Sequence, residues 1–110
     1  MPWIVDFYDQ SVYDVLMEWP DKIKQRFLRL VELLEKHGHD LGMPYTCALG
    51  EGLFELRAKG MEGIGRAFFC YAANKRVIIL HGFIKKTPKT PLKELRLARA
   101  KLKEVRKYGL

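Results

Sequence analysis

The sequence predicts an α+β domain: a small antiparallel sheet, made of an N-terminal strand and a three-strand meander, with two N-terminal helices and one C-terminal helix. Three observations predict it. Apolar residues recur at helical spacing over 20–38 and again over 91–109. Between 53 and 86 the period shortens to two, and the joins there are short and contain Gly or Asn. Helices segregated from an antiparallel meander make an α+β fold, and packing them on one face of the sheet leaves the other face open.

Each element follows from its own residues. "WIVDFY" (3–8) is β-branched and aromatic, with Trp3, Val5 and Phe7 on one face, and reads as a short strand. In "SVYDVLMEW" (11–19), Ser11 with Asp14 three residues on resembles a capping box that opens a short helix. Pro20 ends that helix and suits the first turn of the next. In "PDKIKQRFLRLVELLEKHG" (20–38), Ile23, Phe27, Leu30 and Leu34 form one stripe with Val31 beside them, and Gly38 is a natural terminator. "GHDLGMPYTCALGEG" (38–52) is rich in turn formers and reads as a loop. The runs at 53–60, 63–75 and 76–86 read as strands, and "KGMEG" and "AANK" are short enough to be hairpin joins. In the final helix (91–109), Leu95, Ala98, Leu102 and Val105 make the apolar stripe, while Arg96, Arg99, Lys103 and Arg106 line another side.

No internal repeat, low-complexity tract or linker divides the chain, so residues 1–110 read as a single domain. With 48% hydrophobic and 30% charged residues, the composition is that of a globular domain rather than a disordered segment. The apolar runs are too short to span a bilayer. "MPWIVDFYDQ" lacks the basic start of a signal peptide, so the expected location is cytoplasmic, with Cys47 and Cys70 as reduced thiols.

The net charge of +7 is unevenly distributed. Residues 1–50 hold five Lys and Arg against eight Asp and Glu, whereas residues 51–110 hold fifteen against five. One strongly positive half suits a phosphate backbone or an acidic protein partner, and charge alone does not choose between them.

Strand alternation puts Glu55, Arg57 and Lys59 on one face of the first meander strand and Arg66 with Phe68 and Cys70 on one face of the second. In the third, the same count puts His81 with Ile79 and Phe83. An open sheet face would thus gather Arg57, Arg66 and His81. Arginine suits phosphate because its planar fork stays charged; histidine suits proton transfer because it titrates near neutrality. The competing reading pairs Arg57 and Arg66 across strands with Glu55 or Glu62. "KHGHD" (36–40) offers His37, His39 and Asp40 as metal ligands, but no second ligand set accompanies them and no metal is expected. P-loop, GxSxG, HExxH and CxxC motifs are absent, and no cofactor is signalled.

"LGEGLFELRAKG", "GIGRAFFCY" and "VIILHGFIKKTPKTPLKELRLARA", preceded by "LGMPY" (41–45), together resemble the phage-derived, HigB-like branch of the RelE/ParE toxin superfamily. The resemblance runs over most of the chain. It implies the toxin of a type II toxin–antitoxin pair, a metal-independent endoribonuclease that cuts mRNA on the ribosome and arrests translation. It also implies a cognate antitoxin, often of the helix-turn-helix kind. By motif, Arg57 and Arg66 would hold the phosphate, while His81, Lys85 and Lys86 would serve proton transfer and charge stabilisation. Lys59, Lys89, Arg96, Arg99 and Lys103 would contact RNA. The C-terminal tyrosine that several relatives place beside their basic residues has no counterpart here, since Tyr108 follows the last helix; Tyr45 is held as a candidate base. Two alternatives stay open: a ParE-like, non-enzymatic inhibitor of DNA gyrase, and an RNA-binding module that does not cut. The oligomeric state of the free chain is left undetermined.

Overall fold

A computed structural model describes residues 2–85, 89 and 91–108. In chain order the elements are β1 (Ile4–Phe7), α1 (Gln10–Met17), α2 (Asp21–His37), a short 3-10 turn (Gly38–Asp40), β2 (Thr46–Gly50), β3 (Leu53–Gly60), β4 (Gly63–Ala72), β5 (Arg76–Lys85) and α3 (Leu92–Tyr108). The five strands form one sheet in the order β1-β5-β4-β3-β2. The α+β class and the two hairpins of the meander are as expected.

Four details differ. The turn-rich stretch after α2 contains β2, an edge strand paired antiparallel with β3 from Thr46↔Leu56 onward. β1 runs parallel to β5, in the register Ile4↔Arg76 to Phe7↔Ile79, so the sheet is mixed. The cap of α1 is Asp9, not Ser11: its carboxylate accepts from the Val12 N–H at 3.0 Å, and the Ser11 hydroxyl donates to the same oxygen at 2.7 Å. The fourth concerns the helices, which occupy both faces of the sheet.

α1 and α2 cover one face. Leu16, Trp19, Ile23, Phe27, Leu30 and Leu34 bury against Leu56, Ala58, Ala67, Phe69, Val77 and Ile79. The α2 stripe is the one its 3–4 spacing marks. The helix ends where Gly38 adopts φ 57° and its N–H reaches the Leu34 carbonyl. Trp3 lies so close to Gly38 that any side chain there would collide with the indole. α3 covers part of the opposite face, burying Ala98, Leu102 and Val105 against Leu53, Phe68, Cys70, Ile78 and Leu80. The final stripe was legible; the side of the sheet it would choose was not.

A bulge in β5 sets the geometry of that second face. Phe68 pairs with His81 but Phe69 with Ile79, so Leu80 is an extra residue in the ladder. Ile79 therefore joins the core beneath α1 and α2, while His81 shares its face with Phe68 and Phe83. The expected grouping of His81 with Ile79 assumed unbroken alternation, which the bulge interrupts.

Candidate functional site

Beyond the edge of α3, the second face carries three cross-strand rows. The register aligns Glu55, Phe68 and His81; then Arg57, Arg66 and Phe83; then Lys59, Ile64 and Lys85. The sheet thus brings Arg57, Arg66 and His81 to one neighbourhood, on a face that is only partly open.

Arg57 and Arg66 lie directly opposite each other, an arrangement that like charges disfavour. Glu55 resolves it. Its carboxylate accepts from Arg57 Nε at 2.5 Å and lies 3.5 Å from Arg66 Nη1. Glu55 and Arg66 are both fully buried, whereas the Arg57 side chain is 47% exposed. The hydrogen bond that Arg57 donates to Glu55 raises its already high pKa, against an opposing effect of partial burial. Of the two arginines, then, Arg57 is open to solvent and Arg66 is a sealed counter-charge. The competing sequence reading pairs both arginines across strands with Glu55 or Glu62; Arg66 does reach Glu55 across the strands, whereas Arg57 meets Glu55 within β3.

His81 is held from three sides. Its ring lies near Phe68 and Phe83, with centroids 6.4 and 6.0 Å away, and its Nε2 is 3.2 Å from Glu94 Oε2 in the first turn of α3. With the proton on Nε2 the ring donates to Glu94 and keeps Nδ1 as an acceptor. Glu94 gave no sequence signal beyond an acidic residue in a first helical turn. Lys85 donates from Nζ to the Lys89 carbonyl at 2.8 Å, and Lys89 itself is exposed. Lys86 lies outside the described residues.

The basic residues expected to contact RNA divide between two regions. Arg96 is exposed on α3. Arg99 donates to the carbonyls of Leu49 and Gly50 at 3.1 and 3.3 Å, and Arg106 to that of Glu51. These two arginines clamp the β2–β3 turn under α3. Lys103 joins them around a groove of about 420 Å³ that also includes Glu51. Lys59 belongs elsewhere. With Arg57 it lines a second groove, of about 270 Å³, completed by Arg26, Leu30, Pro44 and Tyr45. The groove exists because β2 pairs no further than Thr46↔Leu56, which leaves the rest of β3 facing the 42–45 turn. Arg26 escaped the sequence reading because an exposed cation on an amphipathic helix carries no mark of what lies across from it.

The residues of "KHGHD" do other work. His39 packs beside Trp3 and Tyr71 and lies 3.4 Å from Asp40. Among the described residues no three His, Cys, Asp or Glu side chains gather in a way that could hold a metal. Cys47 and Cys70 are free thiols, and burial pushes that of Cys70 up to about 11. No helix among the described residues is long and apolar enough to cross a membrane.

Comparison with known proteins agrees with this architecture. No curated protein sequence matches the chain significantly. The crystal structure of the archaeal RelE–RelB complex from Pyrococcus horikoshii OT3 contains a chain that superposes with a TM-score of 0.53 at 20% identity, covering 76% of this chain and 96% of that one. The profile of the family described as phage derived protein Gp49-like (DUF891) matches residues 14–103. The chain therefore belongs to the phage-derived Gp49-like family and has a RelE-like fold, as its resemblance to the RelE/ParE superfamily implied.

Proposed function

We propose that this protein is the toxin of a type II toxin–antitoxin pair and acts as a metal-independent endoribonuclease on mRNA at the ribosome, arresting translation. The observation that carries this reading is that one sheet face holds both a half-exposed arginine, Arg57, and a carboxylate-held histidine, His81, at the edge of α3. Their backbones stand two strands and two residues apart, a diagonal of about 12 Å, which long side chains and a phosphodiester can bridge.

In the reaction, the ribose 2′-oxygen attacks the adjacent phosphorus and the bond from phosphorus to the 5′-oxygen breaks. The products are a 2′,3′-cyclic phosphate and a free 5′-hydroxyl. His81 Nδ1 takes the 2′-hydroxyl proton, and Glu94 stabilises the resulting imidazolium. Arg57 neutralises the charge that builds on the phosphorane oxygens. Arg66 acts through Glu55, fixing the carboxylate that aims Arg57, and is a positioning residue. Lys85 and Lys86 add positive charge and supply the proton for the departing 5′-oxygen. An acidic antitoxin segment suits the basic half of the chain, and the RelE–RelB neighbour was solved as a complex.

One observation favours a second reading. Glu55 neutralises much of the arginine charge in the resting site, which would suit a non-catalytic binder such as a ParE-like gyrase inhibitor. Induced expression separates the two. New transcript 5′ ends within reading frames, seen for the wild type and lost in Arg57→Ala and His81→Ala, support the nuclease. Growth arrest without new ends, with inhibited supercoiling, overturns it.

A further inference from the structure

The groove at the β3 edge extends the site in a direction the reaction does not require. Its charged lining is Arg26, Arg57 and Lys59, and no acidic side chain among the described residues lines it. Its one aromatic is Tyr45, 39% exposed. The turn that carries it is anchored: the Tyr45 N–H donates to the Gly42 carbonyl at 2.9 Å, and the hydroxyl of the next residue, buried Thr46, donates to the Leu41 carbonyl at 2.9 Å. Opposite, α2 is seated by buried Leu30, one turn beyond Arg26. The groove is open to solvent, and Arg57 is common to it and to the sheet face that carries His81.

Arg57 is partly neutralised by Glu55 from behind, but a groove wall of three cations, with no carboxylate among its described residues, still asks for a polyanion. An accessible aromatic on an anchored turn beside them asks for a flat apolar face on the same ligand. Single-stranded nucleic acid has both, whereas an acidic peptide offers charge without a regularly placed ring face. We propose that this groove seats the nucleotide next to the scissile phosphate, with its base stacked on Tyr45 and its backbone held by Arg26 and Lys59. The inference rests on the nuclease reading for its substrate and makes Tyr45 a stacking platform rather than the base catalyst. It gives the enzyme a contact to the RNA that the catalytic rows lack and locates its base preference in the 42–45 turn.

The test is binding of a short single-stranded 2′-O-methyl RNA, which has no 2′-hydroxyl to react, to the wild type, Tyr45→Ala, Tyr45→Phe and Arg26→Ala. Thermal melting verifies that each variant is folded. Tyr45→Ala is expected to weaken binding about tenfold or more while Tyr45→Phe binds as the wild type. Arg26→Ala is expected to lower the slope of log affinity against log salt by about 0.7. Unchanged affinity in both Tyr45→Ala and Arg26→Ala overturns the proposal, as does failure of the wild type to bind. So does an equal loss by Tyr45→Ala toward inorganic polyphosphate, which has no base to stack. Transcript cleavage in cells is read separately. Cleavage with variant-independent binding sinks the groove alone, and variant-dependent binding without cleavage upholds the groove while sinking the nuclease.

Discussion

Glu55 and Arg66 meet at 3.5 Å with both side chains sealed from solvent. The same carboxylate takes Arg57 from the exposed side, so one anion serves two cations that the strand register sets face to face. Removing it leaves a buried guanidinium without its carboxylate. Glu55→Ala is therefore expected to cost about 3–5 kcal/mol in urea unfolding. The double variant Glu55→Leu/Arg66→Met, which replaces both charges with apolar groups, recovers much of that loss. Wild-type stability in Glu55→Ala would show that the pair does not hold the sheet.

The Asp9 cap predicts an acid response. Hydrogen bonds from Ser11 and then from the Val12 N–H hold its carboxyl below the usual range, so the folded state favours the charged form. That contribution is complete at neutral pH and is lost as pH falls through the ordinary carboxylate range toward the depressed folded value. Asp9→Ala should lower stability at neutral pH by about 1 kcal/mol. The difference from wild type should shrink on acidification, as thermal melts across the acid range would reveal. A gap that is constant with pH would contradict the cap.

Gly65 lies where the corner between α1 and α2 touches the sheet. A Cβ there would stand 2.6 Å from the Trp19 ring and 2.7 Å from Ile23 Cγ2. Gly65→Ala should cost about 1–3 kcal/mol through overpacking, with an altered tryptophan emission. An unchanged melting curve would mean that the corner has slack.

The two thiols should differ in chemistry. Burial moves the Cys70 pKa from 9.0 to about 11, while Cys47 is only partly covered. At pH ~8, iodoacetamide should label Cys47 and spare Cys70 until the protein unfolds, as peptide masses would record. The unfolded chain ionises its thiol first, so the neutral buried thiol stabilises the fold below the ordinary value. That contribution fades as pH rises from about 9 to about 11. Early labelling of Cys70 would place it outside the core.

Much of this architecture was legible because it depends on local period. The α2 stripe and the meander follow from spacing alone, and so does the face shared by Glu55, Arg57 and Lys59. What failed depended on relations between distant segments. β2 is hidden because "TCALG" is a short edge strand among turn formers, with little apolar surface to bury. The direction of β1 carries no local signature, since a parallel and an antiparallel strand can share one sequence. The Leu80 bulge is invisible within the unbroken apolar run "VIIL", where an extra residue changes no pattern. At the site, the residue types were readable but their exposure was not: nothing within "GR" says that Arg66 faces a buried carboxylate, and nothing around Arg26 points to Tyr45.

The pairing of β1 with β5 also imposes an order in time. Residues 4–7 find their parallel neighbour only when residues 76–79 exist, so the first strand leaves the ribosome long before its place in the sheet does. The chain must wait, and such distant pairings are slow to close. α3, which supplies Glu94 to His81, comes later still. A protein proposed to attack translation can therefore complete its candidate site only once the chain has been made as far as Glu94.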